Sequence, residues 1–209
     1  MLDWSGWGCL FLVMTFSDVK ALIMNRRSLK PALMDGERVV SDELWTELFE
    51  CANWAPSHGH TEPWRFKVYR GEARVCFGRG LQEAYRSETS EGDFREEKFV
   101  KMGRNPLLAH AVVAICMKRD PKGKIPEVEE IEAVGCAVQN LHLAAQSVGL
   151  GVFWSSPGVS YGESFADFLD LGEDERCLGM LYVGWPKESV EWPKSVRGDW
   201  REKVSFLER

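Results

Sequence analysis

The sequence has no excess of positive charge and few side chains that ligate metals. Its 209 residues include 32 acidic and 26 basic side chains, which give a formal net charge of −6 at neutral pH. A nucleic-acid-binding surface needs excess basic side chains to displace counterions from phosphates, so no nucleic-acid partner is expected. The four histidines and six cysteines form no CxxC pair and no spacing typical of a zinc site. We therefore predict no metal centre.

Long apolar runs and disulfide patterns are also missing. The apolar stretch at residues 10–13 follows no basic region and is too short to span a bilayer, so no stable membrane insertion is expected. Cys51, Cys116 and Cys136 fall in apolar helix or strand patterns, where a free cysteine behaves as a small hydrophobic side chain. Scattered unpaired cysteines fit a reducing compartment, and a cytoplasmic location is expected.

No repeat, low-complexity tract or linker divides the chain, and its length suits one domain with a sizeable core. We expect residues 17–209 to form a single domain and residues 1–16 to be an N-terminal extension. Met14 is an alternative start, because an amphipathic helix follows it directly.

Hydrophobic periodicity predicts helices and strands that are interleaved without a regular βαβ repeat. Helices are expected from Ser17 or Asp18, from Ser41 to Ala52 and over residues 127–148, with surface helices and a mobile loop in 72–104. Strands are expected at 64–69, 107–117, 150–154 and 178–183, followed by an arm at 187–209 that has no core element. This order predicts an α+β fold with a mixed sheet flanked by helices. A Rossmann fold is disfavoured, because no strand leads into GxGxxG.

The loop within residues 55–66 joins a predicted helix to a predicted strand. It carries Ser57, His58, His60 and Glu62. Polar side chains on a tight loop between rigid neighbours are typical of a small-molecule site, whereas the alternative is an ordinary helix-to-strand turn.

A second polar segment, Arg-Arg-Ser-Leu-Lys at residues 26–30, follows the first predicted helix. In an extended chain Arg26, Ser28 and Lys30 share one face. Two cations and a hydroxyl suit a phosphate, whereas the alternative is a solvated basic patch at a helix end.

Together, four segments resemble the flavin-dependent nitroreductase family, in particular its small single-domain NAD(P)H nitroreductases. They occur in the family's order and are Arg26-x-Ser28, the loop from Ala55 to Phe66, the stretch from Gly149 to Ser156, and Gly184-Trp185-Pro186 followed by Arg197. Two positions depart from the family's pattern, since His60 replaces a frequent Asn and Glu62 a frequent Gln.

The resemblance implies FMN as cofactor, NAD(P)H as electron donor, and a homodimer with two FMN sites between the subunits and a C-terminal arm that crosses to the partner. It assigns Arg26 and Ser28 to the phosphate and ribityl chain, Lys30 to the flavin N1 and O2, and Arg197 to the phosphate. His58 is a candidate flavin or substrate contact. The predicted cofactor-binding residues are Arg26, Arg27, Ser28, Lys30, Trp54, His58, Glu62, Trp154, Ser155, Ser156 and Arg197.

The implied reaction is ping-pong transfer of a hydride from NAD(P)H, through the flavin, to an electron-poor acceptor such as a nitroaromatic or a quinone. No catalytic acid or base is assigned, because the flavin carries the chemistry. His110 and His142 are expected to be structural. The alternatives are reductive dehalogenation, oxygen-dependent fragmentation of the flavin, and flavin binding without turnover. His60 and Glu62 keep the last of these open, since the charge of Glu62 would lie near a flavin that becomes anionic. The alternative is that Glu62 pairs with Arg65 or His58.

Overall fold

The computed structural model describes residues 14–208, so most of the predicted N-terminal extension, residues 1–13, lies outside the described part, as does Arg209. The first helix is capped by Thr15. Its hydroxyl accepts a hydrogen bond from the Asp18 backbone N–H at 3.2 Å, and the Asp18 carboxylate accepts one from the Thr15 N–H at 2.9 Å. The predicted capping by Ser17 or Asp18 is therefore wrong, because Asp18 is the third residue of a capping box.

Residues 14–208 form helices and strands in an α+β arrangement. The helices are α1 (Phe16–Asn25), α2 (Asp42–Asn53), α3 (Ala73–Glu88), α4 (Glu96–Arg104), α5 (Glu127–Ser147) and α6 (Glu163–Phe168). The strands are β1 (Met34–Asp35), β2 (Trp64–Arg70), β3 (Ala111–Lys118), β4 (Gly151–Ser155) and β5 (Glu175–Pro186). Short 3₁₀ turns cover Pro31–Leu33, His58–His60, Asn105–Leu108, Gly158–Tyr161 and Trp200–Lys203.

The sheet is built around β5. This strand pairs with β3 along one edge and with β4 along the other, β1 pairs with its last residues, and β2 pairs with β3. All of these pairings within the described residues are antiparallel, so the α+β class is confirmed and the expected mixed sheet is wrong. Strand β3 begins at Ala111 rather than at residue 107, because Asn105–Leu108 forms a 3₁₀ turn around Pro106.

Helices cover both faces of the sheet. Alternate residues of a strand point to opposite faces, and on β3 Val113 and Ile115 pack with α2 and α5 while Val112 and Ala114 pack with α3 and α6. The helices predicted in 72–104 are present as α3 and α4. They are not only a surface layer, since Phe77 of α3 is fully buried in the core between the sheet and α3 and α6, here called the second core.

Several apolar surfaces of the described chain remain uncovered. Helix α1 buries none of its side chains, and the arm after β5 is mostly exposed, as expected for a segment without a core element. Cys51 and Cys136, which fall in apolar helix patterns of the sequence, are free and exposed. Whether the arm crosses to a partner stays a prediction. Between Met14 and Glu208 no helix is both long enough and apolar enough to cross a membrane.

Candidate functional site

Arg26, Ser28 and Arg197, here called the Arg26 cluster, place a guanidinium beside a hydroxyl and a second guanidinium near enough to affect the pKa of the first. An Arg26 Nη1 lies 3.5 Å from Ser28 Oγ. Burial lowers the pKa of Arg26, and the positive charges of Arg197 and Arg27 lower it further. Among residues 14–208 no carboxylate forms an ion pair with Arg26 or Arg197. Like charges held together without a counterion suit an anion such as phosphate.

Arg27 holds the arm beside this cluster. Its guanidinium donates to the carbonyls of Pro193 at 3.0 Å, Met24 at 2.6 Å and Arg26 at 2.9 Å. Its backbone N–H donates to Oε1 of Gln146, near the end of α5, at 3.1 Å. The structure therefore gives Arg27 a positioning role, since fixing Pro193 brings Arg197 toward Arg26. Its direct contact with a cofactor stays a prediction.

Residues 26–30, which were predicted to be extended, run alongside β4. The Leu29 N–H donates to the Val152 carbonyl at 3.0 Å, and the Leu29 side chain is fully buried. Because alternate residues of an extended chain point to opposite sides, Arg26, Ser28 and Lys30 face outward. The Arg26 and Ser28 contact agrees with this shared face, and Lys30 is exposed.

Trp154, Ser155 and Ser156 lie at the end of β4, on the same chain as the Arg26 cluster. Trp154 is 38% exposed, and its indole N–H donates to the Leu178 carbonyl at 3.2 Å. A Cβ on Gly179 would lie 2.7 Å from the Ser155 carbonyl oxygen and 2.8 Å from the Trp154 Nε1. The φ of Gly179 is 117°, which other residues rarely adopt, so this glycine lets β5 approach the Trp154 turn.

A cavity of about 520 Å³ adjoins this turn. Trp154 and the exposed Tyr161 supply aromatic surface, and Cys177 lines it from β5. The remaining lining residues include Glu127, Ile131, Ser160, Glu163, Glu175 and Arg176.

The loop at 54–62 is strained and displays a large exposed aromatic side chain. Trp54 is 87% exposed at the end of α2. Gly59, His60 and Glu62 have φ values of 62°, 54° and 44°. A positive φ is unfavourable for most residues other than Gly, but Asn, Asp and His adopt it more often than the rest, so this backbone suits Asn or His at position 60 and is least favourable for Glu62.

The structure gives His58 and Glu62 partners that differ from those considered from the sequence. The His58 Nδ1 lies 2.6 Å from Oε2 of Glu129, on the first turn of α5. The Glu62 N–H donates to Ser57 Oγ at 3.2 Å, and its backbone carbonyl accepts from Arg65 at 2.9 Å. The Glu62 carboxylate thus forms no ion pair with Arg65 or His58.

One chain does not bring the Arg26 cluster and the 54–62 loop together. His58 contacts Glu129 at the start of α5, while Arg27 contacts Gln146 near its end. At 1.5 Å per residue, the 17 residues between these two contacts span about 25 Å. The Arg26 cluster and the 54–62 loop thus lie near opposite ends of α5, and the Trp154 turn borders a cavity that reaches Glu127 and Ile131 in the first turns of this helix.

Sequence reasoning missed Glu129 and Gly179. Glu129 lies 71 positions after His58, and its only sequence signal is an acidic first turn of α5. Gly179 lies inside an apolar strand pattern, where an isolated glycine suggests close backbone approach. His142, expected to be structural, is 6% exposed, and burial followed by the charge of Arg26 lowers its pKa to about 4.

Comparison with known proteins decides the family. The model of the nitroreductase family matches residues 23–185, well over half of the chain. The chain belongs to the nitroreductase family. This confirms the resemblance seen in the four segments, and the matched range contains every predicted site residue except Arg197.

Relatives within the nitroreductase family span most of this chain. A crystal structure of a nitroreductase-like family protein from Bacillus cereus is 29% identical with a TM-score of 0.76, covering 93% of this chain and 98% of that one. "Putative NAD(P)H nitroreductase YdjA" of Escherichia coli strain K12 is 28% identical over 171 residues, 81% of this chain and 89% of the relative. The 5,6-dimethylbenzimidazole synthase of Rhodospirillum rubrum is also 28% identical, over 78% of this chain and 81% of the relative.

Proposed function

We propose that this nitroreductase-family chain is an FMN-dependent oxidoreductase that takes a hydride from NAD(P)H and reduces an electron-poor small molecule, such as a nitroaromatic or a quinone. The observation that carries the proposal is the Arg26 cluster, two neighbouring guanidiniums that form no ion pair with a carboxylate of residues 14–208. The cost of holding these like charges together falls when a phosphate binds between them.

Along β4 of one chain, the residues proposed to hold the FMN phosphate are followed by those proposed to contact the flavin ring. The Arg26 cluster would hold the phosphate, with Ser28 as an additional hydrogen-bond partner. Leu29 is bonded to Val152, and Trp154 follows two residues later, about 7 Å along the strand. The Trp154–Ser156 turn would contact the flavin ring, and Lys30 would place a positive charge near the anionic form. When bound, FMN would supply the hydride chemistry, while the protein provides position and charge.

We further propose a homodimer whose second subunit completes each site. The 54–62 loop and the Arg26 cluster lie near opposite ends of α5, so a two-fold axis near the middle of this helix would bring the loop of one subunit toward the cluster of the other. Exposed apolar side chains support such an interface, since Phe16 of α1 is 83% exposed and Phe206 of the arm is 77% exposed. Trp54, His58 and Glu62 would then approach the flavin from the second subunit.

A flavin titration tests the proposal. The purified protein should be yellow or become so with FMN, and NADH or NADPH added without oxygen should bleach the flavin absorbance. A protein that stays colourless and takes up no FMN contradicts the whole proposal. A yellow protein that neither nucleotide bleaches supports flavin binding without turnover.

Arg26→Ala tests the phosphate role. Loss of a charged hydrogen bond of this kind should weaken FMN binding by about tenfold to a hundredfold. Arg79→Ala is the matched control, because Arg79 is exposed on α3, away from the predicted site residues. His142 is unsuitable as a control, since Arg26 affects its pKa. Equal FMN affinities of the two arginine variants would contradict the assignment.

The reaction itself needs a separate measurement. Because relatives named for different reactions, an NAD(P)H nitroreductase and a 5,6-dimethylbenzimidazole synthase, each share 28% identity with this chain, family membership leaves the acceptor open. A panel of nitroaromatics, quinones and halogenated phenols, followed by product analysis, separates nitro or quinone reduction from dehalogenation. Loss of the flavin itself under oxygen, rather than conversion of an acceptor, would indicate flavin fragmentation.

A further inference from the structure

Two buried cysteines face each other across neighbouring strands, apart from the proposed flavin contacts. Cys116 of β3 and Cys177 of β5 are register partners, next to a register shift between Ile115 and Cys116. Cys116 is fully buried and Cys177 is 6% exposed. Both are free thiols.

The strand geometry allows a bond between these two residues. Directly opposed residues of antiparallel strands have Cα atoms about 4.5 to 5.5 Å apart. A disulfide spans Cα separations of about 4.4 to 6.8 Å, so closure requires little movement of the backbone. The two thiols are close enough to shift each other's pKa, and the Cys177 thiol donates to the Gly179 carbonyl at 3.5 Å.

The two thiols differ in access and in acidity. Cys177 lines the 520 Å³ cavity, whereas Cys116 lies behind it in the second core. The hydrogen bond from Cys116 lowers the pKa of Cys177, and the same pairing together with burial raises the pKa of Cys116. Because Cys177 is the thiol that a solute in the cavity reaches, we assign it as the nucleophile of the pair.

We propose that Cys116 and Cys177 form a redox-active dithiol, which a hydroperoxide that enters the cavity oxidises to a disulfide. The Cys177 thiolate attacks the terminal peroxide oxygen and the O–O bond breaks, which gives a sulfenic acid on Cys177 and releases the other oxygen as an alkoxide, or as hydroxide when the peroxide is hydrogen peroxide. Cys116 loses its proton and attacks the Cys177 sulfur, the S–O bond breaks, and water leaves as the disulfide forms. The dithiol loses two electrons and the peroxide gains them.

The bond would form beside the backbone that positions Trp154. Leu178, whose carbonyl accepts the Trp154 indole N–H, follows Cys177 directly, and Gly179 packs against the same turn. Closing the disulfide would constrain the strands at the register shift between Ile115 and Cys116, and this would alter the Trp154 turn. Oxidation is therefore expected to change the affinity for FMN, and this expectation rests on the proposed function. Disulfide formation itself requires no flavin.

Mass spectrometry of the full chain tests the proposal. The reduced protein is treated with hydrogen peroxide, its remaining thiols are blocked with N-ethylmaleimide in denaturant, and unreduced peptides are analysed over time. We expect a peptide joined through Cys116 and Cys177 that disappears on reduction. Its formation in a protein that binds no FMN would support the dithiol and contradict only the proposed function.

Variants separate this pair from the exposed cysteines. Replacing Cys51, Cys76 and Cys136 by Ser should leave the rate of cross-linking unchanged, since these thiols are exposed. Cys177→Ala should slow oxidation of Cys116 about tenfold or more, because the nucleophile is removed. Cys116→Ala should leave a sulfenic acid on Cys177 that dimedone traps.

Three results would overturn the proposal. The first is oxidation of the exposed cysteines without any Cys116–Cys177 peptide. The second is an unchanged rate of Cys116 oxidation in Cys177→Ala. The third, which does not depend on either core variant folding, is that Cys177 of the wild-type chain pairs mainly with another cysteine.

Discussion

Acidification should destabilise the protein through His142, a buried residue of α5. Its side chain is 6% exposed, and burial followed by the nearby positive charge of Arg26 lowers its pKa to about 4. In the unfolded chain the imidazole has an ordinary pKa of about 6.5. The unfolded state therefore binds a proton between these two values, while the folded state does not.

The sign and size of the effect follow from proton linkage. Where the unfolded state binds more protons, the free energy of unfolding falls as the pH falls, by about 1.4 kcal/mol per pH unit for one group. The His142 contribution is fully present above about pH 6.5. It decreases as the pH drops toward 4, by roughly 3 kcal/mol in total, a large part of the stability of an ordinary domain.

Urea denaturation from pH 7 to pH 4.5 measures this contribution. His142→Gln removes the titration, so its free energy of unfolding should fall less steeply than that of the wild type, by about 1 kcal/mol per pH unit between pH 6 and 4.5. His60→Gln, at an exposed position of the 54–62 loop, should follow the wild-type slope. Parallel curves for the wild type and His142→Gln would refute the reasoning, whatever their absolute stabilities.

Three other substitutions test the packing around the site. Gly179→Ala forces a positive φ on alanine and a clash with the Trp154 turn, so thermal melting should show a free energy of unfolding lower by about 1–3 kcal/mol. An unchanged melting temperature would contradict this contact. Glu130→Gln removes the charge that pairs with Arg119. Because Glu130 is 1% exposed, chemical denaturation should show a free energy of unfolding lower by about 3 kcal/mol. A decrease below about 1 kcal/mol would show that the pair is unimportant for stability. Trp54→Ala should change the free energy of unfolding of the subunit by less than about 0.5 kcal/mol, since the side chain is 87% exposed. In sedimentation experiments the same variant should self-associate about tenfold more weakly than the wild type. Unchanged association would place Trp54 outside the interface.

The sequence predicted most elements of the fold because their signals are local. Helix α2 begins after Ser41, whose hydroxyl accepts the Leu44 N–H, and α5 covers residues 127–147 where the three–four pattern of apolar residues runs. The errors arose where two neighbouring residues satisfied the same local rule, so that the sequence offered more than one choice. Thr15 rather than Ser17 caps α1, because it alone has an acidic residue three positions later to complete a capping box.

The site was less predictable, because its geometry depends on contacts between distant segments. The shared face of Arg26 and Ser28 follows from an extended backbone, which local reasoning provides. The pairing of His58 with Glu129 crosses 71 positions, and no periodicity indicates which acidic residue of α5 meets the loop. Likewise, the role of Arg27 in holding Pro193 becomes visible only when the arm is folded back on α1.

The middle of α5 provides an independent reason to expect a second subunit there. His58 and Arg27 contact α5 at Glu129 and Gln146, whose midpoint lies just beyond Gly135 and Cys136. A glycine inside a helix costs about 1 kcal/mol relative to alanine. A Cβ at Gly135 would meet nothing within 4 Å in the described part of its own chain, and Cys136 beside it is exposed. Packing within the subunit therefore does not account for this glycine, whereas the close approach of a second helix at the proposed two-fold axis would.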